Sequence, residues 1–215
     1  MKKVSLIFIL LIGFGCISYA QTVTIGTQVW MTKNLDVATF RNGDPIPQAK
    51  TNEEWIRADE NKQPAWCYYD NDPANGAKYG KLYNWYAVND KRGLASIGYH
   101  IPSDAEWTKL TDFLGGEFVA GKKMKSKSGW NKFSTRYIYA RSGKGTNTSG
   151  FSGLPGGGRN HDGAFNYVGR AGYWWSSTED LTASAWYRNL YYGNGKLTRF
   201  NSNKRNGFSV RCLRD

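Results

Sequence analysis

Histidine, cysteine and acidic residues are the scarce materials of this 215-residue chain. Its two histidines, His100 and His161, sit in no H-E-x-x-H spacing, and no Cys/His cluster exists to hold zinc. No nucleophile elbow presents a serine, although a Ser/His/Asp triad assembles in space and is not read from order alone. Gly156-Gly157-Gly158-Arg159 lacks the lysine and hydroxyl residue of a phosphate loop. Paired carboxylates for glycoside cleavage are missing too. Glu53-Glu54 read as helix-start charges and Glu179-Asp180 as a turn. No reaction is identified by these residues, and none is expected.

Long apolar runs are equally scarce. The one present, Val4 to Gly15 broken only by Ser5, is too short to span a bilayer comfortably. Lys2 and Lys3 precede it and Ser18-Tyr19-Ala20 follows, which is the pattern of an export signal cleaved before Gln21. The expected protein is therefore periplasmic or extracellular, with a lipid-anchored form at Cys16 as the alternative. Losing residues 1–20 removes two of 29 cationic residues and none of 17 acidic ones, leaving a net charge near +10. The cations are dispersed, which serves solubility and also attracts anionic surfaces such as acidic glycans. The local clusters are Lys122 to Lys127 and Lys204-Arg205, and the first reads as a solvated loop or helix end. Export argues against nucleic acid as a partner.

After processing, Cys67 and Cys212 are the two cysteines that remain. In an oxidising compartment they are expected to pair. Closing a loop of roughly 145 residues would contribute about 5 kcal/mol in the chain-entropy picture, as an upper figure.

What the chain has in quantity is glycine and aromatics: 25 glycines, nine tryptophans, 14 tyrosines and ten phenylalanines. No linker or internal repeat divides it, so one domain over 21–215 is expected. Thr22 to Ile25 and Gln28 to Met31 flank Gly26-Thr27 as a hairpin. Thr51 to Glu54 is a capping box opening a short helix. Trp66 to Tyr69 reads as a strand and Asp70-Asn71-Asp72-Pro73 as a turn. Leu82, Trp85, Tyr86 and Asn89 suggest a helix over 81–90. Ser103 and Glu106 cap a further helix carrying Trp107, Leu110, Phe113 and Leu114, stopped by Gly115-Gly116. Beyond residue 130, short aromatic runs between glycine turns predict an antiparallel sheet. Helices early and strands late give an α+β class.

Six blocks in order resemble the Fibrobacter succinogenes major paralogous domain, a family of exported bacterial proteins. They are Ile25 to Met31 with Asn34-Leu35, Tyr79 to Trp85, Gly98 to Trp107, Gly150 to Gly157, Tyr173 to Ser177, and Gly207 to Cys212. The resemblance implies a C-type-lectin-like fold related to the formylglycine-generating enzyme branch, with two short helices, irregular antiparallel sheets and long loops. It implies a fold rather than an activity. The enzyme branch uses a reactive cysteine pair near the C-terminus to bind copper. Here Cys212 stands alone, where the fold's structural disulfide would lie, so that oxidation is disfavoured. Calcium-mediated sugar binding is not carried over either, since neither Glu-Pro-Asn, Gln-Pro-Asp nor Trp-Asn-Asp occurs.

Asp70, Asp72 and Asn75 offer oxygens for a structural calcium, but the glycine at 76 comes one position late for an EF-hand and position 81 is lysine. An Asx-rich turn explains them as well. The aromatic set is the better functional material. Trp174, Trp175, Tyr187, Tyr191 and Tyr192, with Arg159 and Arg188, lie near turns, where rings stack on sugars and arginines bond their hydroxyls. Strand alternation limits this: at most half of adjacent aromatics face one way, the tryptophans suit the core, and outward tyrosines suit contact. The expected protein is a non-enzymatic binding module for a glycan or an envelope protein. The alternatives are a structural or adhesion component, or a residual oxidase or hydrolase.

Overall fold

The computed structural model describes residues 21–132 and 144–215. The proposed export signal lies outside them. The hairpin forms as expected: β1 (Thr22–Ile25) pairs β2 (Gln28–Met31), Thr22 facing Met31 and Ile25 facing Gln28. Its sheet is completed from far along the chain. The final strand, β11 (Leu213–Arg214), lies between β2 and β5 (Tyr99–His100), with Leu213 opposite both Trp30 and His100. Two further backbone bonds, Met31 N to Cys212 O and Leu35 N to Val210 O, bind the start of the described chain to its end.

Both capping boxes are present. Thr51 and Glu54 cap α1 (Asn52–Glu60), and Ser103 and Glu106 cap α4 (Asp104–Phe113). Among the described residues there are five α-helices, against three read from the residues and two implied by the resemblance. The Asp70–Pro73 turn runs on into α2 (Pro73–Tyr79), because Asp72 Oδ1 accepts from Ala74 N and Pro73 occupies the first helical position. The helix expected over 81–90 is shorter and starts later. Leu82 is used in β4 (Leu82–Tyr83), which pairs β3 (Trp66–Cys67). Asn84 then caps the one-turn α3 (Trp85–Val88), its Oδ1 accepting from Ala87 N. Gly115 and Gly116, at φ +96° and +88°, end α4 and turn the chain into α5 (Glu117–Met124). Lys122 and Lys123 occupy the last turn of α5, but Lys125 just beyond it is buried, not solvated.

The second sheet has the order β10-β9-β8-β6-β7, built from β6 (Gly156–Arg159), β7 (Phe165–Val168), β8 (Ala171–Leu181), β9 (Ser184–Tyr191) and β10 (Leu197–Asn203). It is antiparallel except for one contact, β6 beside β8, where Gly157 meets Gly172 in parallel register. Glycine is required at both. A Cβ on Gly157 would sit 2.6 Å from Asn166 O, and one on Gly172 would sit 2.4 Å from the Trp174 ring. The class is α+β.

This sheet is buried on both faces at its centre. Trp174 enters a core with Trp30, Trp107, Leu110, Phe151 and Leu190. Trp175 enters another with Tyr83, Trp85, Phe208 and Val210. Each fully buried side chain of this size contributes roughly 1.5–3 kcal/mol. A smaller core gathers Trp55, Cys67, Tyr69 and Leu82. Much of the chain between elements is loop, and its buried carbonyls need donors. Cationic side chains supply them. Arg159 donates to Ala49 O, Thr51 O and Gly163 O, Arg211 to Met31 O and Phe151 O, and Lys125 to Tyr191 O and Asn194 O.

The expected disulfide does not form. Cys67 and Cys212 are both free and buried, in different cores. Cys67 packs among Trp55, Tyr69 and Leu82, whereas Cys212 follows Val210 into the core beneath Trp175. Burial pushes both thiols up to about 12.

Candidate binding face

The register of the second sheet assembles an aromatic face that no single segment of the sequence displays. Trp175 lies opposite Tyr187, and Tyr187 opposite Phe200. One step along, Tyr173 lies opposite Asn189 and Asn189 opposite Thr198, while Tyr191 faces Ala171. Because strand residues two apart share a face, all of these project on the same side of the sheet. Phe208 lies against them, stacked on Tyr173 at 4.9 Å with planes 18° apart and 4.5 Å from Trp175. Tyr187 joins the group at 6.0 Å from Tyr173 and 6.1 Å from Phe200. Exposure rises across the row: Trp175 is fully buried, Tyr187 half-buried and Phe200 51% exposed.

Further tyrosines extend this face. Tyr191 and Tyr192 meet edge to face at 4.8 Å. Tyr167, 51% exposed, holds a φ of +67°, a conformation that a bulky side chain seldom adopts. The phenols are mutually close. Burial raises the Tyr173 phenol, and neighbouring Tyr187, Tyr167 and Tyr191 raise it further. Tyr191 is raised by burial and by its hydrogen bond with Tyr192, with Arg170 opposing. Tyr187 is raised by burial. These three hydroxyls are therefore neutral at physiological pH, each able to donate and accept, beside flat apolar rings. Such a surface offers flat rings for stacking and hydroxyls for hydrogen bonds.

The sequence-predicted residues divide sharply. Tyr187, Tyr191 and Tyr192 lie at this face. Trp174 and Trp175 do not reach solvent, both being 0% exposed, with indole N–H groups donating to Asn34 Oδ1 and Tyr83 O. Arg159 is buried between the Trp55 and Phe165 rings, its donors spent on Ala49, Thr51, Asn52 and Gly163. Arg188 is buried against Asp104 and Thr108. These four are removed from the ligand set, because the sheet has a core on each side rather than one wet face. Tyr173, Tyr167, Phe200 and Asn189 are the residues that sequence reasoning missed. Alternation alone pointed to Tyr173, two positions before Trp175, and to Asn189 between Tyr187 and Tyr191.

Asp72 and Asn75 are engaged locally, with Asp72 capping α2 and Asn75 Nδ2 donating to Tyr69 O. Asp70 is exposed at φ +53°. Among the described residues no group of three His, Cys, Asp or Glu side chains is placed to hold a metal ion. His161 is exposed. His100 bridges two carboxylates, Nδ1 at 2.8 Å from Asp215 and Nε2 at 2.9 Å from Glu106. Burial alone would depress this imidazole, but the bonds to Asp215 and Glu106 outweigh it and raise it. No described helix is long and apolar enough to cross a membrane.

A family model described as the Fibrobacter succinogenes major domain matches residues 23–214. No curated protein and no solved structure matches the chain.

Proposed function

The chain belongs to the Fibrobacter succinogenes major domain family, and we propose that it is an exported, non-enzymatic module of the cell envelope that binds a glycan on its tyrosine face. The observation that carries this reading is the graded strip Tyr173–Tyr187–Phe200, half-buried rings supported from below by Phe208 and Trp175. Rings held in this way lose little freedom when a sugar stacks on them, and the tyrosine hydroxyls and Asn189 bond its hydroxyls. The frame is read as C-type-lectin-like and related to the formylglycine-generating enzyme branch, a reading supported by a first hairpin that closes on the last strand.

The non-enzymatic reading now rests on burial instead of a disulfide. A thiol pushed up to about 12 is protonated at neutral pH and is a poor nucleophile or metal ligand. The binding proposed requires no cofactor.

A protein interface is the second reading, favoured by one observation. Phe113 and Phe118, 63% and 70% exposed, flank the α4–α5 turn with the 44% exposed Val119, an apolar grouping apart from the tyrosine face.

A glycan array probed with the purified protein tests the proposal. The expected result is retention of one saccharide class, lost when Tyr187 and Tyr191 are both replaced by alanine. Retention unaffected by that double replacement, or none at millimolar saccharide, contradicts it.

A further inference from the structure

Among the buried cations, Lys81 meets Asp36, Arg188 meets Asp104 and Lys204 meets Glu179. Arg159 and Arg211 are also buried and form no ion pair among the described residues, and of the two it is Arg211, 1% exposed, that borders a cleft. Its Nε and Nη2 donate to Asn34 Oδ1, and its Nη1 donates to Met31 O and Phe151 O, over the Phe151 ring at 4.4 Å. A guanidinium has five N–H groups, and these bonds use four. A charge withdrawn from water without a counter-ion is costly, and burial lowers this guanidinium to about 9.

Arg211 and Asn34 both line this cleft of about 430 Å³, walled further by Lys33, Lys78, Tyr79, Ser152 and Asp36. The volume suits one or two sugar rings. Asp36 is the one carboxylate in the wall, and its Oδ1 is already bonded by Lys81 at 2.6 Å. Lys33 and Lys78 are exposed, so the cleft carries excess positive charge from rim to base. Its remaining lining adds the hydroxyls and amide of Thr32, Ser126 and Gln21 to apolar surface from Ala77 and Leu154.

We propose that this cleft is a second binding site, separate from the tyrosine face, for an acidic saccharide whose carboxylate is drawn to Arg211, Lys33 and Lys78. The carboxylate supplies the missing counter-charge, and the hydroxyl and amide lining addresses the sugar ring. That lining favours a uronic acid over a peptide carboxylate. The site uses none of the rings of the tyrosine face, so it stands or falls separately from the reading above.

The probe is D-glucuronate, titrated into isotope-labelled protein while the Arg211 Nε–H and the Asn34 side-chain amide are followed. The expected result is saturable shifts at both, with a dissociation constant on the order of 1 mM, absent with D-glucose. Arg211 belongs to the fold, so the variant is the rim pair Lys33→Gln with Lys78→Gln, which should weaken glucuronate about tenfold with an unchanged melting temperature. Raising the salt concentration should weaken it likewise. Equal shifts with D-glucose, no shifts with glucuronate, tighter binding of N-acetylglycine than of glucuronate, or an undiminished response in the rim variant would each overturn the proposal.

Discussion

Trp174 and Trp175 are neighbours in the chain but occupy different cores, one donating to Asn34 Oδ1 and the other to Tyr83 O. The second sheet is therefore a partition between two cores at this point, and the aromatic wealth of the chain divides into rings that build and rings that remain available.

That division has a direct consequence for stability. Trp174→Ala and Trp175→Ala should each cost about 3–5 kcal/mol in chemical denaturation, as expected for large-to-small changes at fully buried sites. Tyr191→Ala should cost under about 1.5 kcal/mol, since that ring is only partly buried. A tryptophan variant as stable as the parent would mean that its indole faces solvent.

Asp104 ties the sheet to α4. Its Oδ1 takes Arg188 Nη1 at 2.6 Å and Arg199 Nε at 3.0 Å, and Arg188 is 2% exposed. Asp104→Ala leaves a buried guanidinium without its carboxylate and should cost about 3–5 kcal/mol. Arg199→Ala removes a partner that is 44% exposed and should cost under about 1 kcal/mol. Equal losses in the two variants would contradict this account of the pair.

The two thiols should behave as buried and free. Iodoacetamide should label neither Cys67 nor Cys212 in the folded protein and both after denaturation, without prior reduction. Dithiothreitol should leave the melting temperature unchanged. A fall on reduction, or a mass two hydrogens short in the unreduced protein, would restore the disulfide.

His100 gives the fold a pH dependence of known sign. Its folded-state value is raised, so its contribution is complete below its ordinary value near 6.5 and disappears as pH rises through the folded value. Glu106 runs the other way. Burial opposes its charge, but bonds from Ser103 and His100 lower it, so its contribution holds above the ordinary carboxylate range and is lost on acidification. Denaturation midpoints at pH 6 and pH 9 should show that His100→Gln destabilises more at pH 6. A variant equally destabilised at both would mean that the imidazole carries no extra proton in the fold.

The parts of the fold governed by local chemistry were legible in the sequence. The Gly26-Thr27 hairpin and the capping boxes at Thr51 and Ser103 use contacts within a few residues and appear as expected. The 81–90 segment misled because Leu82 answers to Trp66-Cys67 across the chain before any helix begins. Lys125 read as a solvated charge and Arg159 as a ligand contact because composition does not reveal which loop carbonyls lack donors. The cysteines looked paired because counting them ignores where the chain carries each one. At the candidate site, the outward tyrosines were legible from alternation, while the loss of Trp174 and Trp175 required knowing that the sheet has a core on both sides.

The glycan-binding account is tested most directly by aromatic-ring NMR of the protein titrated with a saccharide that the array retains. The account predicts shifts confined to the rings of Tyr173, Tyr187, Tyr191 and Phe200, with the indole N–H signals of Trp174 and Trp175 unmoved. Shifts at the indoles with quiet tyrosine rings would contradict it.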